Sequence, residues 1–142
     1  MKDWLPEDTY EFIREMTPMV CVDIAYVLDS QVLLLKRKDF PMRWATVGGR
    51  ILRDEPIKKA MERIMLRETG IIFRGEKINM VGAKELIMPI QHVITLVIRI
   101  DSKLEKKPKI RIDDTSFAYK WVGVDKVRLR GWYGDILKEA LK

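Results

Sequence analysis

The stretch from Gly48 to Ile71, GGRILRDEPIKKAMERIMLRETGI, constrains this chain more than any other. A Gly-Gly-Arg turn runs into Asp54-Glu55-Pro56, and the amphipathic run that follows stops at Gly70. Pro fits a first helical turn, where its missing N–H has no partner to lose, and Gly fits the position after the last turn, where φ turns positive. Asp54 is the expected N-cap, with a carboxylate able to accept from the free N–H groups of the first turn. Advancing about 100° per residue, Ile57, Ala60, Met61 and Ile64 make one stripe, while Lys58, Lys59, Glu62 and Leu66 lie off it. Glu68 falls in the middle of the stripe. A carboxylate on an inward helix face is costly unless it is paired, hydrogen-bonded or bound to metal. Either Glu68 is a structural acid held by Arg50, Arg63 or backbone N–H groups, or it faces a metal or phosphate.

The rest of the chain supplies one layered α/β domain around that helix. A short amphipathic helix is expected over Pro6 to Met16. Val20 to Leu28 and Gln31 to Lys38 alternate as strands, joined at Asp29-Ser30 as a hairpin. Met42 to Val47 leads into the glycine turn. Further strands are expected around Ile71 to Phe73, Asn79 to Met88, His92 to Ile100 and Phe117 to Val122, with a short edge strand at Lys109 to Ile112. A final helix is expected over Trp132 to Lys142. No repeat, low-complexity tract or linker divides the 142 residues, so a single domain is expected.

Composition narrows the function classes. A hydrophobic content of 47% excludes general disorder. No apolar run is long enough to span a bilayer, and charges at Lys2, Asp3, Glu7 and Asp8 argue against a signal peptide, so a cytoplasmic protein without a membrane partner is expected. The lone Cys21 excludes an intrachain disulfide and reads as a buried spectator. The net charge of +6 favours anionic ligands. Lys36, Arg37, Lys38, Arg43, Arg50 and Arg53 gather near the helix start, whereas Lys103, Lys106, Lys107, Lys109 and Arg111 flank Pro108 and read as a solvated turn.

Asp23 interrupts an apolar strand and reads as an inward acid paired with an arginine, with a functional role favoured. Trp121 and Trp132 read as core, and Trp4 and Tyr10 as packing or dimer contacts.

The stretch from Gly49 to Ile71 resembles the Nudix hydrolase box, G-x5-E-x7-R-E-U-x-E-E-x-G-U, in which U is a bulky aliphatic residue. Gly49, Glu55, Arg63, Glu68, Gly70 and Ile71 stand at its spacing, and Ile64 and Arg67 stand where it carries two more glutamates. Within the family the chain is most similar to the GDP-mannose mannosyl hydrolase branch, which also keeps a single helix glutamate. The likeness extends to Thr17-Pro18, Val22-Asp23-Ile24, Lys36-Arg37, Trp44, His92-Val93-Ile94-Thr95 and Tyr119-Lys120-Trp121. The resemblance implies an α/β/α sandwich with a mixed sheet. It implies a nucleotide-sugar substrate, GDP-mannose-like, cleaved by water at the sugar C1 with release of nucleoside diphosphate. It implies Mg²⁺, or Mn²⁺, held by Glu68 and the Gly48 carbonyl. Asp23, Arg37, Arg50, Arg63 and His92 are implied around the diphosphate and leaving group, with Asp23, Arg37 and Arg50 touching substrate. A homodimer is implied, and a nucleic-acid partner is not expected. The branch keeps a Gln-His pair, the His being the general base, where this chain has Thr115-Ser116, and His92 is its only histidine. Asp113 or Asp114 is the candidate replacement base, and a domain that binds a nucleotide or phosphorylated ligand without cleaving it is the alternative.

Overall fold

The computed structural model describes residues 5–38, 43–89 and 91–142. Its elements are α1 (Glu7–Met16), β1 (Met19–Leu28), β2 (Gln31–Arg37), β3 (Trp44–Ala45), β4 (Val47–Arg50), α2 (Ile57–Thr69), β5 (Ile78–Met88), β6 (Gln91–Asp101), β7 (Ser116–Gly123) and α3 (Gly131–Ala140). The expected Trp4 contact and the Met42 end of the pre-helix segment lie outside the described residues.

The strands form one mixed sheet in the order β3-β2-β1-β6-β5, with β4 on β1 and β7 on β2. β1 runs parallel to β6 along its length and is antiparallel to both β2 and β4, which share its other edge. Asp29 and Ser30, at φ 52° and 58°, make the β1–β2 turn, whose twist matches the strands it joins. Period-two alternation sorts the strand side chains onto two faces. Val22, Ile24, Tyr26, Leu33, Leu35, Ile98 and Ile100 meet Met61, Ile64 and Met65 of α2 in one core. Ala25, Val27, Val32, Leu34 and Val97 meet Ile136, Leu137 and Ala140 of α3 in the other. The expected α/β/α sandwich is therefore observed.

Two segments expected to be strands are not. Ile71 to Phe73 and Lys109 to Ile112 join no ladder. Ile71 and Ile110 are buried in the α2-side core, and the Arg111 N–H donates to the Thr69 carbonyl at 2.8 Å. Their apolar residues plug the end of the core, which demands the same composition as a strand without the same pairing. The expected Asp54 cap is also replaced. Pro56 occupies the N-cap position without a side-chain hydrogen bond, and Asp54 sits in the turn before it at φ 62°. Ile57, expected on the inward stripe, is 36% exposed, because it opens the helix before α2 has settled onto the sheet. Gly70 ends α2 as expected, at φ 78° with its N–H on the Leu66 carbonyl.

Candidate functional site

Glu68 is 8% exposed on the inward face of α2, as the stripe requires. Its partner is neither Arg50 nor Arg63. Arg37, at the end of β2, grips it bidentately: Nη1 donates to Oε2 and Nη2 to Oε1, both at 2.9 Å. The Gly48 N–H adds a bond to Oε1 at 3.2 Å. Arg37 Nη2 also donates to the Thr46 carbonyl at 3.1 Å and the Gly48 carbonyl at 3.2 Å. Burial raises the Glu68 carboxyl, while Arg37 and the Gly48 N–H pull it back. The Arg37 guanidinium is held firmly charged, since the Glu68 carboxylate outweighs the burial that opposes it.

Gly48 is required for this contact. A Cβ there would lie 2.6 Å from the Val22 carbonyl and 2.8 Å from Asp23 Oδ1. Asp23 is buried, but its hydrogen-bond partners are hydroxyls rather than an arginine: Thr46 and Thr95 Oγ1 each donate to it at 2.6 Å. It shares the alternation of Ala25 and Val27, on the face away from α2, and reaches the Arg37 cluster through Thr46. Burial raises its carboxyl above the usual range, against the two threonines. Sequence reasoning misses Thr46 and Thr95 in this role. The available signal is a hydroxyl at an apolar strand position.

Arg63 braces the start of α2. It grips Glu55 through Nε and Nη2 at 2.7 and 2.8 Å, and Nη2 donates to the Arg50 carbonyl at 2.8 Å. Arg50 itself keeps a buried Nη1 without a hydrogen-bond partner among the described residues. Its charge lies near Cys21, whose thiol is pushed up to about 12 by burial and by Asp23, against Arg50. Cys21 therefore stays protonated and is no nucleophile.

The two replaced glutamates have different fates. Ile64 is 2% exposed and packs on Gly49, where an added Cβ would lie 3.3 Å from Ile64 Cδ1. Hydrocarbon fills that place. Arg67 forms an ion pair with Asp113 at 3.4 Å, so a cation on the helix now faces an acid on the loop before β7. Asp113 Oδ1 also accepts from the Thr115 N–H at 3.0 Å and from the Thr115 hydroxyl at 2.5 Å. Ser116, the cross-strand partner of Arg37, is buried with its hydroxyl unpartnered among the described residues.

His92 does not join this group. Its Nε2 meets Glu85 Oε2 at 3.0 Å on the exposed face of β5–β6. Asp23 pairs with Val97, five residues further along β6, so His92 lies roughly 16 Å down the strand at about 3.3 Å per residue. It lines a separate cleft of about 430 Å³ with Arg14, Met16, Thr17, Met88 and Gln91. The strand register sets His92 apart from Glu68 and Arg37, at the end of the sheet beside α1.

Among the described residues no three His, Cys, Asp or Glu side chains gather to hold a metal. Glu68 and the Gly48 carbonyl, the two expected ligands, are engaged by one guanidinium. Arg37, Arg63 and Arg67 are each paired with a carboxylate, of Glu68, Glu55 and Asp113 in turn.

A sequence profile of the NUDIX domain matches residues 17–140. The ADP-ribose pyrophosphatase of Methanocaldococcus jannaschii is 33% identical over 96 residues, covering 66% of this chain and 57% of that protein. The low-salt glycan biosynthesis protein Agl8 of Haloferax volcanii is 32% identical over 69 residues, covering 47% of this chain and 44% of that protein. The aligned regions thus span about half the length of these relatives. Among solved structures, a MutT NUDIX hydrolase from Burkholderia pseudomallei superposes with a TM-score of 0.73 at 24% identity, covering 87% of this chain and 98% of that one. A MutT protein from Methanosarcina mazei gives 0.70 at 20% identity, with 87% and 93% covered. At these identities the two structures show the fold.

Proposed function

Because the chain belongs to the Nudix family, we propose that it hydrolyses a nucleoside diphosphate sugar, GDP-mannose-like, with water attacking the sugar C1 and nucleoside diphosphate departing. The observation that carries this reading is the fate of the two replaced glutamates: Ile64 is sealed in the core and Arg67 is a cation. Attack at phosphorus leans on divalent ions that activate water and clamp both oxygens. Substitution at C1 passes through an oxocarbenium-like state, and its main electrostatic demand is the charge growing on the diphosphate. Cations meet that demand better than acids. Arg50, with a spare Nη1 donor, is the group we assign to the diphosphate. Asp113 accepts the proton of the attacking water, in the place of the absent histidine. A divalent ion, Mg²⁺ or Mn²⁺, arrives on the diphosphate as part of the substrate, since the protein's own donors are engaged by Arg37. The two relatives support a sugar-bearing diphosphate: one is named for ADP-ribose, the other for glycan biosynthesis.

Incubation of purified protein with a panel of nucleotide sugars in H₂¹⁸O, with and without Mg²⁺, tests the reading by mass spectrometry. Free sugar carrying ¹⁸O together with unlabelled nucleoside diphosphate is the expected outcome. Nucleoside monophosphate plus sugar phosphate would assign cleavage at phosphorus instead. A second reading, a domain that binds such a ligand without cleaving it, is favoured by one observation: no histidine stands near Glu68, because His92 lies at the far end of β6. Tight nucleotide binding with no product over long incubation would establish it.

We further propose a cytoplasmic homodimer. What supports a dimer is α1, which has no buried residue and leaves Phe12 and Met16 63% and 65% exposed. No helix among the described residues is long and apolar enough to cross a membrane.

A further inference from the structure

The oxygens around Arg37 outnumber what its nitrogen needs. Nη2 carries two hydrogens, yet Glu68 Oε1, the Thr46 carbonyl and the Gly48 carbonyl all lie within 3.2 Å of it, and one hydrogen is shared. Glu68 Oε2 takes a hydrogen from Nη1. These oxygens come from three residues on two elements and the turn between β3 and β4, and they converge on one point. Thr46 is fully buried, and Glu68 and Arg37 are each 8% exposed. An acceptor-rich, buried cage of one carboxylate and two carbonyls selects a cation rather than a neutral donor.

We propose that this cage is a cation site whose resident is the Arg37 guanidinium, so that the free protein binds no divalent ion there, and that removing the guanidinium exposes a latent divalent-cation site built from Glu68, Gly48 and Thr46. A planar guanidinium satisfies a carboxylate with two parallel hydrogen bonds and cannot be deprotonated, so it fills the site at every working pH and needs no supply of metal. One turn earlier on α2, Ile64 is buried hydrocarbon and supplies no second carboxylate. The inference concerns the free protein and stands whichever bond of a substrate is cut.

Manganese is the probe, read by paramagnetic broadening of backbone amide NMR signals and by loss of the free-ion electron paramagnetic resonance signal. In the wild-type protein, substoichiometric Mn²⁺ is expected to leave the Gly48 and Glu68 amides unbroadened. Selective broadening of those amides would overturn the proposal without any variant. In Arg37→Ala, Mn²⁺ is expected to broaden the same amides, to raise the melting temperature and to bind with a dissociation constant on the order of 10⁻³ M or tighter, a range known for weak oxygen-ligand sites. Arg37→Ala/Glu68→Gln is expected to lose that uptake. Equal uptake by the single and double variants would also sink the proposal. If Arg37→Ala folds only when Mn²⁺ is added, and Mg²⁺ or Mn²⁺ leaves wild-type stability unchanged, the proposal is supported. If it fails to fold in either condition, the wild-type measurement decides.

Discussion

At the scale of single residues, the Arg37–Glu68 pair ties β2 to α2, and each partner is a liability without the other. Removing one leaves the other's charge buried without its partner. Breaking such a buried pair costs about 3–5 kcal/mol, whereas replacing both partners with apolar groups of similar volume costs much less. Arg37→Met and Glu68→Gln are therefore expected to lose roughly that much each, and Arg37→Met/Glu68→Leu to lose less than either alone. Urea denaturation of the four proteins measures it, and a double variant as unstable as the sum of the singles would contradict the pairing. The burial of Glu68 was legible from the helix stripe, but its partner was not. Arg50 and Arg63 were the neighbours in sequence, while Arg37 lies 31 residues away and is delivered by strand pairing. Asp23 differs because its partners are neutral. Burial raises its folded-state carboxyl above the 3.8 it starts from, so its stabilising contribution is full below about pH 3.8 and is lost as pH rises through the higher folded value. Asp23→Asn removes that loss. The variant is expected to gain on the wild type in denaturant midpoint between pH 4 and pH 7.5, and a difference constant with pH would refute it.

At the scale of elements, α2 is positioned by its ends. Its start is held by the Glu55–Arg63 grip and by the Leu52 N–H on Glu55 Oε1, at 3.1 Å. Arg63 and this amide hold the Glu55 carboxyl below the usual carboxylate range, with Arg63 the larger cause, so the grip is complete above about pH 4.5 and is lost as pH falls through the lower folded value. Its finish is held by Gly70, whose backbone is left-handed and where an added Cβ would lie 3.3 Å from Arg111 Cβ. An L side chain in that conformation costs about 1–2 kcal/mol. Gly70→Ala is expected to destabilise by about that much and to loosen the 109–112 segment packed on it, seen as faster amide exchange at Arg111. Unchanged exchange there would show that Gly70 does not anchor the segment. The end of α2 was legible because Gly has one physical use at such a position. Its beginning was misread, since Asp54 fits a cap by type while Glu55 holds the turn through a grip eight residues long. Ile71 and Ile110 looked like strands because burial, not pairing, set their composition.

At the scale of the whole molecule, the central strands β1 and β2 are buried over most of their length, whereas β5 leaves Met80, Val81 and Ile87 exposed. The alternation of β1, β2 and β6 made the sandwich legible, and the box spacing placed α2. What alternation could not reveal was register, and register separates His92 from the Glu68 cluster. The same end of the sheet that carries His92 also carries α1, which packs lightly against β6. Phe12 and Met16 lie four residues apart on one side of α1 and are more than half exposed, so the monomer obtains almost nothing from them. Full burial of such side chains is worth about 1.5–3 kcal/mol each, which only a second surface can supply. If α1 is a dimer surface, Phe12→Lys/Met16→Lys is expected to convert a dimer to a monomer in analytical ultracentrifugation. Because neither side chain is buried in one chain, thermal stability extrapolated to low protein concentration should be unchanged. A wild-type protein monomeric at all concentrations, or a variant dimer as strong as the wild type, would remove α1 from the interface. A loss of stability at low concentration would instead show that α1 packs within its own chain.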